Sequence, residues 1–284
     1  MKKKTFNIDP SMIVGITAGI ALIIIGIGLG NIGHFASARG AVIVFGGTFA
    51  ALIACFPTES LKKVPKQIWI AIQGALPDPA LYIDQIFDCA KVARKHGMLA
   101  LEGLANAHDD EFMRDSILLI VDAVDANKIR AMLDSDLEYL DERHNEAVTF
   151  FERGAALAPA FGLLGTLIGL IIMLANLSLD DSAGNETLTN GMAIALITTF
   201  YGIILANLFF TPVASRLSAK HYREMLCKKI IMEGTLSIQA GENPRFIKEK
   251  LISFLPQKER RIIEKSAAKK EKMKKDGKKK KKAD

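Results

Sequence analysis

Residues 158–170 read APAFGLLGTLIGL, and they begin an apolar run that continues to about residue 177. The run is long enough for a helical bilayer span, which needs about 20 residues. At helical spacing, small residues make up one face of this span and bulky residues lie on the others. The small face comprises Ala158, Gly162, Gly165, Thr166 and Gly169. Because helices in lipid associate by close packing, this face predicts tight contact with another helix.

A second run, residues 191–212, repeats the pattern. Its small or hydroxyl-bearing residues at helical spacing are Gly191, Ala195, Thr198, Thr199, Gly202 and Ala206. Two such faces can pack on each other or border one shared axis. The hydroxyls of Thr166, Thr198 and Thr199 then have two alternative roles. They offer oxygen atoms to a passing ion, or they donate to a carbonyl one turn earlier in their own helix.

Four apolar runs interrupt an otherwise charged sequence. Of the 284 residues, 50% are hydrophobic and 24% are charged, and the mean hydropathy is +0.21. The runs at about residues 11–30, 40–56, 154–177 and 191–212 contain no Asp, Glu, Lys or Arg. We therefore predict an all-α polytopic membrane protein with four transmembrane helices and a helical cytoplasmic domain.

The charges of the loops predict the orientation of the spans. Basic residues at positions 2–4 and 62–66 flank the first pair of spans, whereas the turn at 178–190 carries only acidic charges. Positive loops stay in the cytoplasm, so both termini and the middle segment are predicted to be cytoplasmic. The predicted divisions are a cytoplasmic N-terminus (1–10), a transmembrane hairpin (11–57), a helical cytoplasmic domain (58–153), transmembrane helices 3 and 4 (154–213), cytoplasmic helices (214–256) and a tail (257–284).

Within the cytoplasmic parts, helices are expected at about residues 80–95, 112–123, 216–239 and 244–255. A further helix at 126–151 is expected to run directly into the third span. The tail from residue 257 carries 14 Lys or Arg against 5 Asp or Glu, a net +9 in a chain of net +6. We interpret it as a disordered, solvated tail that can rest on anionic lipid and that does not bind nucleic acid.

The sequence contains no pattern typical of an enzyme. Its three cysteines and five histidines are dispersed, and the contiguous residues 108–111 (HDDE) fit a surface loop better than a metal site. We predict no catalytic residue, no cofactor and no bound metal. The four spans also contain no carboxylate or histidine, one of which proton or sodium passage normally requires. Either the chain conducts nothing, or a partner helix supplies a carboxylate.

The chain resembles the flagellar motor stator proteins of the MotA, PomA and MotP type, in the superfamily that includes ExbB and TolQ. The resemblance covers nearly the whole chain. Its motifs are Gly46-Gly47-Thr48, the stretch ARKHGMLALE at 93–102, residues 158–170, and AIALITTFYG at 193–202. ExbB and TolQ resemble only the last two spans and lack the stretch at 94–102.

The resemblance implies an ion channel formed with a MotB-type partner. Five copies of the chain would surround two copies of the partner, each of which brings an ion-carrying Asp. Thr166, Thr198 and Thr199 would face that Asp, and Pro159 and Pro212 would couple ion passage to a conformational change. Arg94 and Glu102, assisted by Lys95, would act on charges of the rotor protein FliG. The membrane would be the bacterial cytoplasmic (inner) membrane.

The transported ion is expected to be sodium rather than a proton, because hydroxyl oxygens suit a dehydrating sodium ion. Two other classes of function stand beside the stator. One is an energiser of an envelope process like ExbB or TolQ, with no rotor contact. The other is a membrane scaffold that conducts no ion. In each case the packing face comprises Gly162, Gly165, Gly169, Ala195, Gly202 and Ala206.

Overall fold

The fold is all-α, as predicted. The computed structural model describes residues 10–74, 76–175 and 182–261, with only the backbone for 182–187. The α-helices are α1 (Pro10–Ile27), α2 (Ala38–Ala41), α3 (Gly47–Cys55), α4 (Thr58–Ile72), α5 (Pro79–His96), α6 (Glu102–Ala105), α7 (Glu111–Val121), α8 (Ala126–Ala175), α9 (Ser182–Ile204), α10 (Thr211–Gln239) and α11 (Pro244–Ile252). The predicted tail lies outside the described residues, apart from its first five.

Four helical segments are long and apolar enough to cross a membrane: Pro10–Ile27, Ala38–Cys55, a part of Ala126–Ala175 and a part of Leu188–Gln239. They correspond to the four predicted spans. The second span consists of α2, a π turn at Val42–Gly46, and α3. Helix α8 is continuous over 50 residues, so the helix expected at 126–151 does run into the third span.

The fourth span differs from the prediction at its end. We expected the span to stop near Pro212 and a separate helix to begin at residue 216. Instead, α9, a π turn at Leu205–Phe210, and α10 follow one another without a loop. Pro212 is the second residue of α10. The preceding π turn already changes the hydrogen-bond pattern there, so the missing N–H of the proline does not end the helix.

The chain forms two compact units and passes between them three times, once between α4 and α5 and twice inside helices, within α8 and within α10. The first unit comprises residues up to 75 together with Glu142–His221, and it contains the spans. One end of its core consists of aromatic rings. The ring centroid of Phe150 lies 5.2 Å from the centroid of Phe56 and 5.2 Å from that of Phe151. The hydroxyl of Tyr201 donates to the carbonyl of Phe35 and accepts from the N–H of Ser37 at 3.1 Å. Tyr201 therefore holds the turn that joins the first two spans.

The second unit comprises Leu76–Asp141 and the residues after 221. Its core consists of aliphatic side chains from α5, α7, α10, α11 and the first part of α8. Residues below 2% exposure there include Ile83, Ile86, Met113, Ile120, Ile129, Ile230 and Ile231. The unit thus has a hydrophobic core of its own, as an aqueous helical domain requires.

A buried ion pair fixes the start of α7 in the second unit. Residues 108–110 form the predicted loop before α7, but only 21% of the Asp110 side-chain surface is exposed. Its carboxylate accepts from Lys228 Nζ at 2.8 Å, from the Tyr82 hydroxyl at 2.8 Å, and from the N–H of Met113. Burial alone would raise the pKa of Asp110, but these donors outweigh it and hold the pKa below its ordinary value. No sequence pattern indicates Lys228 as the partner, because it lies 118 positions away.

Replacing Lys228 with Met should weaken the second unit, because it leaves the Asp110 carboxylate buried without its ammonium partner. We expect a loss of about 2 kcal/mol, less than for a fully buried pair since both side chains keep some solvent contact. The measurement is maleimide labelling of Cys89, which is 1% exposed. Burial, with Asp88 nearby, raises the pKa of this thiol to about 11, so it reacts mainly after local opening.

Labelling of Cys89 in the Lys228→Met variant should accelerate about 30-fold, the factor that corresponds to 2 kcal/mol. The matched control is Lys229→Met, because the adjacent Lys229 is exposed. Equal labelling rates in the two variants would show that the Asp110–Lys228 pair does not stabilise the unit.

Candidate functional site

Helices α8 and α9 pack with their backbones in contact at a series of glycines. A Cβ atom added at Gly165 would lie 2.5 Å from Thr198 Cβ. One at Gly169 would lie 2.7 Å from the carbonyl oxygen of Gly191, and one at Gly202 would lie 2.6 Å from that of Ala158. These distances exclude any side chain larger than hydrogen. The two small-residue faces of the sequence therefore pack on each other within one chain.

Of the remaining residues of the predicted packing face, Gly162 and Ala195 belong to the same contact, whereas Ala206 lies in the core of the first unit. Gly162 approaches the Thr198 carbonyl, where an added Cβ would lie at 3.0 Å. Ala195 and Ala206 are 3% and 4% exposed. With side chains this small, the α8 and α9 backbones come close enough for threonine hydroxyls to reach across.

Two of the predicted ion-pathway threonines meet at the edge of this contact. Thr166 Oγ1 and Thr199 Oγ1 lie 2.6 Å apart, one on each helix. Thr166 also bonds the carbonyls of Gly162 at 3.1 Å and Ala195 at 3.0 Å, and Thr199 bonds the same Ala195 carbonyl at 3.3 Å. Both side chains are only partly buried. The result is a group of oxygen atoms that remains reachable from one side of the helix pair.

Thr198 takes a different position. It is fully buried, and its hydroxyl bonds the carbonyls of Ile194 and Ala195 in its own helix, at 3.0 and 2.9 Å. Its side chain lies against Gly165 and Gly40. These contacts match the alternative in which a threonine hydroxyl donates to a carbonyl of its own helix and its side chain packs against the neighbouring helix. The hydroxyl of Thr198 therefore does not join the pair formed by Thr166 and Thr199.

The two predicted coupling prolines lie within continuous helix. Pro159 is inside α8 and has no N–H to donate to the carbonyl of Ala155. It packs against Gly202, where an added Cβ would lie 3.1 Å from Pro159 Cα. Pro212 lies two residues after the π turn of the fourth span. Each proline thus lies where a regular i to i−4 hydrogen bond is missing, which is where a helix bends most easily.

The predicted rotor-contact residues lie together on the surface of the second unit. Helix α5 ends at Gly97, whose φ of 83° suits glycine, and this places Arg94 and Lys95 in the last turn of the helix. A 3₁₀ turn follows, anchored by the fully buried Leu101, and Glu102 begins α6. The side chains of Arg94, Lys95 and Glu102 are all exposed. Basic and acidic charges are therefore presented on either side of one short turn.

Two contacts of the site could not be predicted from the sequence. Phe161 fills the space above Gly47, where an added Cβ would lie 2.3 Å from the ring. This contact explains the glycine in the Gly46-Gly47-Thr48 motif. The second contact is the bond between Tyr201 and the turn at Phe35. Both join the first pair of spans to the second pair, and long-range partners of this kind leave no periodic signal in a sequence.

The fold and the site define a class of protein. It is a helical membrane protein with four spans, two of which meet through glycines beside a pair of hydroxyls. The family model of the MotA/TolQ/ExbB proton channel family matches residues 104–229. Motility protein A of Treponema pallidum is 37% identical over 262 residues, which cover 90% of this chain and 97% of that protein. Motility protein A of Aquifex aeolicus is 42% identical over 85% of this chain and 94% of its own length.

Among solved structures, the flagellar MotAB stator complex from Bacillus subtilis contains a similar chain. The TM-score is 0.77 at 29% identity, with 89% of this chain and 98% of that chain covered. The chain belongs to the MotA/TolQ/ExbB proton channel family, within which these relatives are motility proteins. It is a flagellar motor stator subunit with a role in ion conduction, and not an enzyme, as predicted.

A methyl group at position 165 should disrupt the α8–α9 contact. In the variant Gly165→Ala the new Cβ meets Thr198 Cβ at 2.5 Å, and neither atom can move without its backbone. Such overpacking typically costs 1–3 kcal/mol. We expect a lower melting temperature of the purified protein, measured by the fraction that stays monodisperse after heating.

The matched control is Gly26→Ala in α1, because no atom lies within 4 Å of a Cβ added there. This variant should melt at the temperature of the unaltered chain or above it, since alanine favours a helix. Equal melting temperatures for the two variants would contradict the contact.

Proposed function

We propose that the chain forms an ion channel with a MotB-type partner and that ion flow through it drives rotation of the flagellar rotor. The observation that carries the proposal is the oxygen group of Thr166 and Thr199, partly exposed on a membrane span without any carboxylate nearby. A channel for sodium or protons needs a group that changes charge or binds the ion. Support for a partner that brings this group comes from the MotAB relatives, which are complexes of two proteins.

In the proposed assembly, five copies of the chain surround two partner helices, each with one Asp. The Thr166–Thr199 edge faces this Asp. Binding of the cation neutralises the carboxylate, and a neutral group passes an apolar ring at far lower cost than a charged one. Release of the cation to the cytoplasm restores the charge of the Asp and favours the next arrangement of the five copies around the partner helices. Pro159 and Pro212 lie where the spans have weakened helical bonding, so they are the points that bend.

Sodium is the proposed ion. Thr166, Thr199 and the Ala195 carbonyl place three oxygen atoms within hydrogen-bond distance of one another. A sodium ion that loses water needs several oxygen ligands, whereas a proton needs one acceptor. The hydroxyls have carbonyl partners in the resting chain, and they would exchange those bonds for the ion when it is present.

The membrane is proposed to be the bacterial inner membrane, with both termini in the cytoplasm. The basic residues at 2–4 and 62–66 support this orientation. It puts the second unit, with Arg94, Lys95 and Glu102, in the cytoplasm and within reach of a rotor protein. FliG is the proposed rotor partner. The basic tail is proposed to lie on anionic lipid.

Motor speed, measured with the cognate partner, should rise and saturate as external sodium increases at constant pH. Valine at Thr166 or Thr199 removes one oxygen ligand, worth about 1.4 kcal/mol, so half-maximal speed should need about tenfold more sodium. The matched control is Thr198→Val, because the hydroxyl of Thr198 bonds only within its own helix. A speed that ignores sodium and follows the proton-motive force would identify a proton-type stator.

Exchange of the charges at the turn after α5 should abolish torque. The double variant Arg94→Glu, Glu102→Arg reverses both exposed charges without touching the core, so the complex should still assemble and remain at normal levels in the membrane. Torque is measured from tethered-cell rotation, and assembly from purification with the partner. Lys128→Glu, an exposed reversal at the start of α8, serves as the control and should rotate normally. Rotation of the double variant would argue against a rotor contact here.

A further inference from the structure

A cavity open to the surface, with both polar and apolar lining residues, lies between α8 and α10 within the first unit. Its volume is about 270 Å³. The residues that line it are Glu152, Ala155, Thr211, Ala214, Ser215 and Ser218. The cavity can hold several water molecules, each of which occupies about 30 Å³ in the liquid. It therefore has room for a hydrated cation.

Within the described part of the chain, the polar side chains of the cavity have no side-chain partner. Thr211, Ser215 and Ser218 make no side-chain hydrogen bond to another residue of the described part of the chain, and Glu152 forms no ion pair there. This differs from Thr166, Thr198 and Thr199, which all bond to helix carbonyls. All four of these residues are exposed, so one carboxylate and three hydroxyls border the same open space with their oxygen atoms accessible to solvent.

Pro159 adds a backbone oxygen to this set. Ala155 lines the cavity, and its carbonyl would normally accept from the N–H four residues later. That residue is Pro159, which has no N–H. The proline predicted to act in coupling therefore leaves a carbonyl without its usual donor next to the cavity. Carboxylate, hydroxyl and carbonyl oxygens are the ligands that hard cations prefer.

The cavity lies on the same side of the helix pair as Thr166 and Thr199. Along α8, steps of seven residues return nearly to the same face, so Glu152, Pro159 and Thr166 lie along one line. Along the fourth span, Thr211 would point about 120° away from Thr199 in a regular helix of 3.6 residues per turn. The π turn at Leu205–Phe210 inserts one extra residue and brings Thr211 back to within about 30° of Thr199.

We propose that this cavity is the exit vestibule of the ion pathway, where Glu152, the three hydroxyls and the Ala155 carbonyl receive the cation after it leaves the Thr166–Thr199 level. Along α8 the vestibule begins 14 residues from Thr166, or about 21 Å at 1.5 Å per residue. When the cation reaches the vestibule, the adjacent carboxylate replaces part of its lost hydration and lowers the barrier to its exit. The inference rests on the proposed function, because it presupposes ion flow along this edge.

The test uses the full chain with its cognate partner in cells that lack other stators. At low load the motor speed is limited by the rate of ion transit, and at stall the torque is set by the driving force. The variant Glu152→Gln should lower low-load speed about threefold, because without the carboxylate the barrier to cation exit rises by about 0.65 kcal/mol. Stall torque and the amount of complex in the membrane should stay unchanged.

Three further variants separate chemistry from folding. Glu142→Gln removes an exposed charge from the same helix outside the cavity, and it should run at the unaltered speed. Glu152→Asp keeps the carboxylate and should restore most of the speed. The double variant Thr211→Val, Ser218→Ala removes two hydroxyls without a change of charge and should slow low-load rotation by a smaller factor. Repeating the series at varied external sodium and varied pH tells whether the received cation is sodium or a proton.

Equal low-load speeds for Glu152→Gln and Glu142→Gln would overturn the vestibule, as would a Glu152→Gln defect that lowers stall torque and complex abundance in proportion. Either result leaves the proposed function standing as long as the unaltered chain rotates the motor. If the unaltered chain gives no ion-driven rotation with its partner, the proposed function fails and the vestibule fails with it.

Discussion

The close approach of α8 and α9 is the constraint on which the rest of the site depends. Lipid supplies no hydrophobic force to bring two apolar helices together, so van der Waals contact between backbones must do it. Hydrogen atoms at Gly165, Gly169 and Gly202 permit that contact. Only at this separation do the Thr166 and Thr199 hydroxyls reach each other. The same separation presses Gly202 against Pro159, so the oxygen group and the weak point of α8 have one geometric origin.

Breaks in regular hydrogen bonding occur at three places in the spans: the π turn at Val42–Gly46, Pro159, and the π turn at Leu205–Phe210 with Pro212 behind it. Each leaves backbone groups with altered partners in a medium that cannot solvate them, which is costly unless protein or trapped water satisfies them. Helices retain such defects in membranes where they bend or line a polar space. The two later breaks flank the cavity of α8 and α10, so the defects and the cavity occur together.

Much of the fold could be predicted from the sequence because membrane spans and amphipathic helices have strong periodic signals. The four spans, the continuity of α8 and the facing glycine stripes all follow from spacing and length. The end of the fourth span could not be predicted in this way, since a proline normally signals a helix boundary and the π turn before Pro212 has no sequence signature. Similarly, the loop at residues 108–110 is predictable from its polar sequence, but no local pattern indicates that Asp110 pairs with Lys228, which is distant in sequence.

The candidate site was predictable in part for the same reasons. Threonines at helical spacing identify a hydroxyl-bearing face, but their exact direction depends on the neighbouring helix, and this is why Thr198 turned out to be buried against Gly165. The exposed charges at Arg94 and Glu102 carry no periodic signal, and they were assigned through a motif. Glu152 and the hydroxyls of α10 were not singled out, since their common face exists only after the π turn shifts the register.

Tyr201 binds the turn between the first two spans because its hydroxyl both donates and accepts a hydrogen bond there. The rings of Phe35, in the turn, and Phe200, in α9, are also in contact, with their centroids 5.2 Å apart. The turn of the first hairpin is thereby fastened to the last turn of α9, which is near the middle of the predicted fourth span. Any tilt or rotation of α9 during ion passage must carry that turn with it. The turn of the hairpin then moves together with α9. A spectroscopic label on the exposed Ile32 would detect these movements at a position away from Thr166 and Thr199.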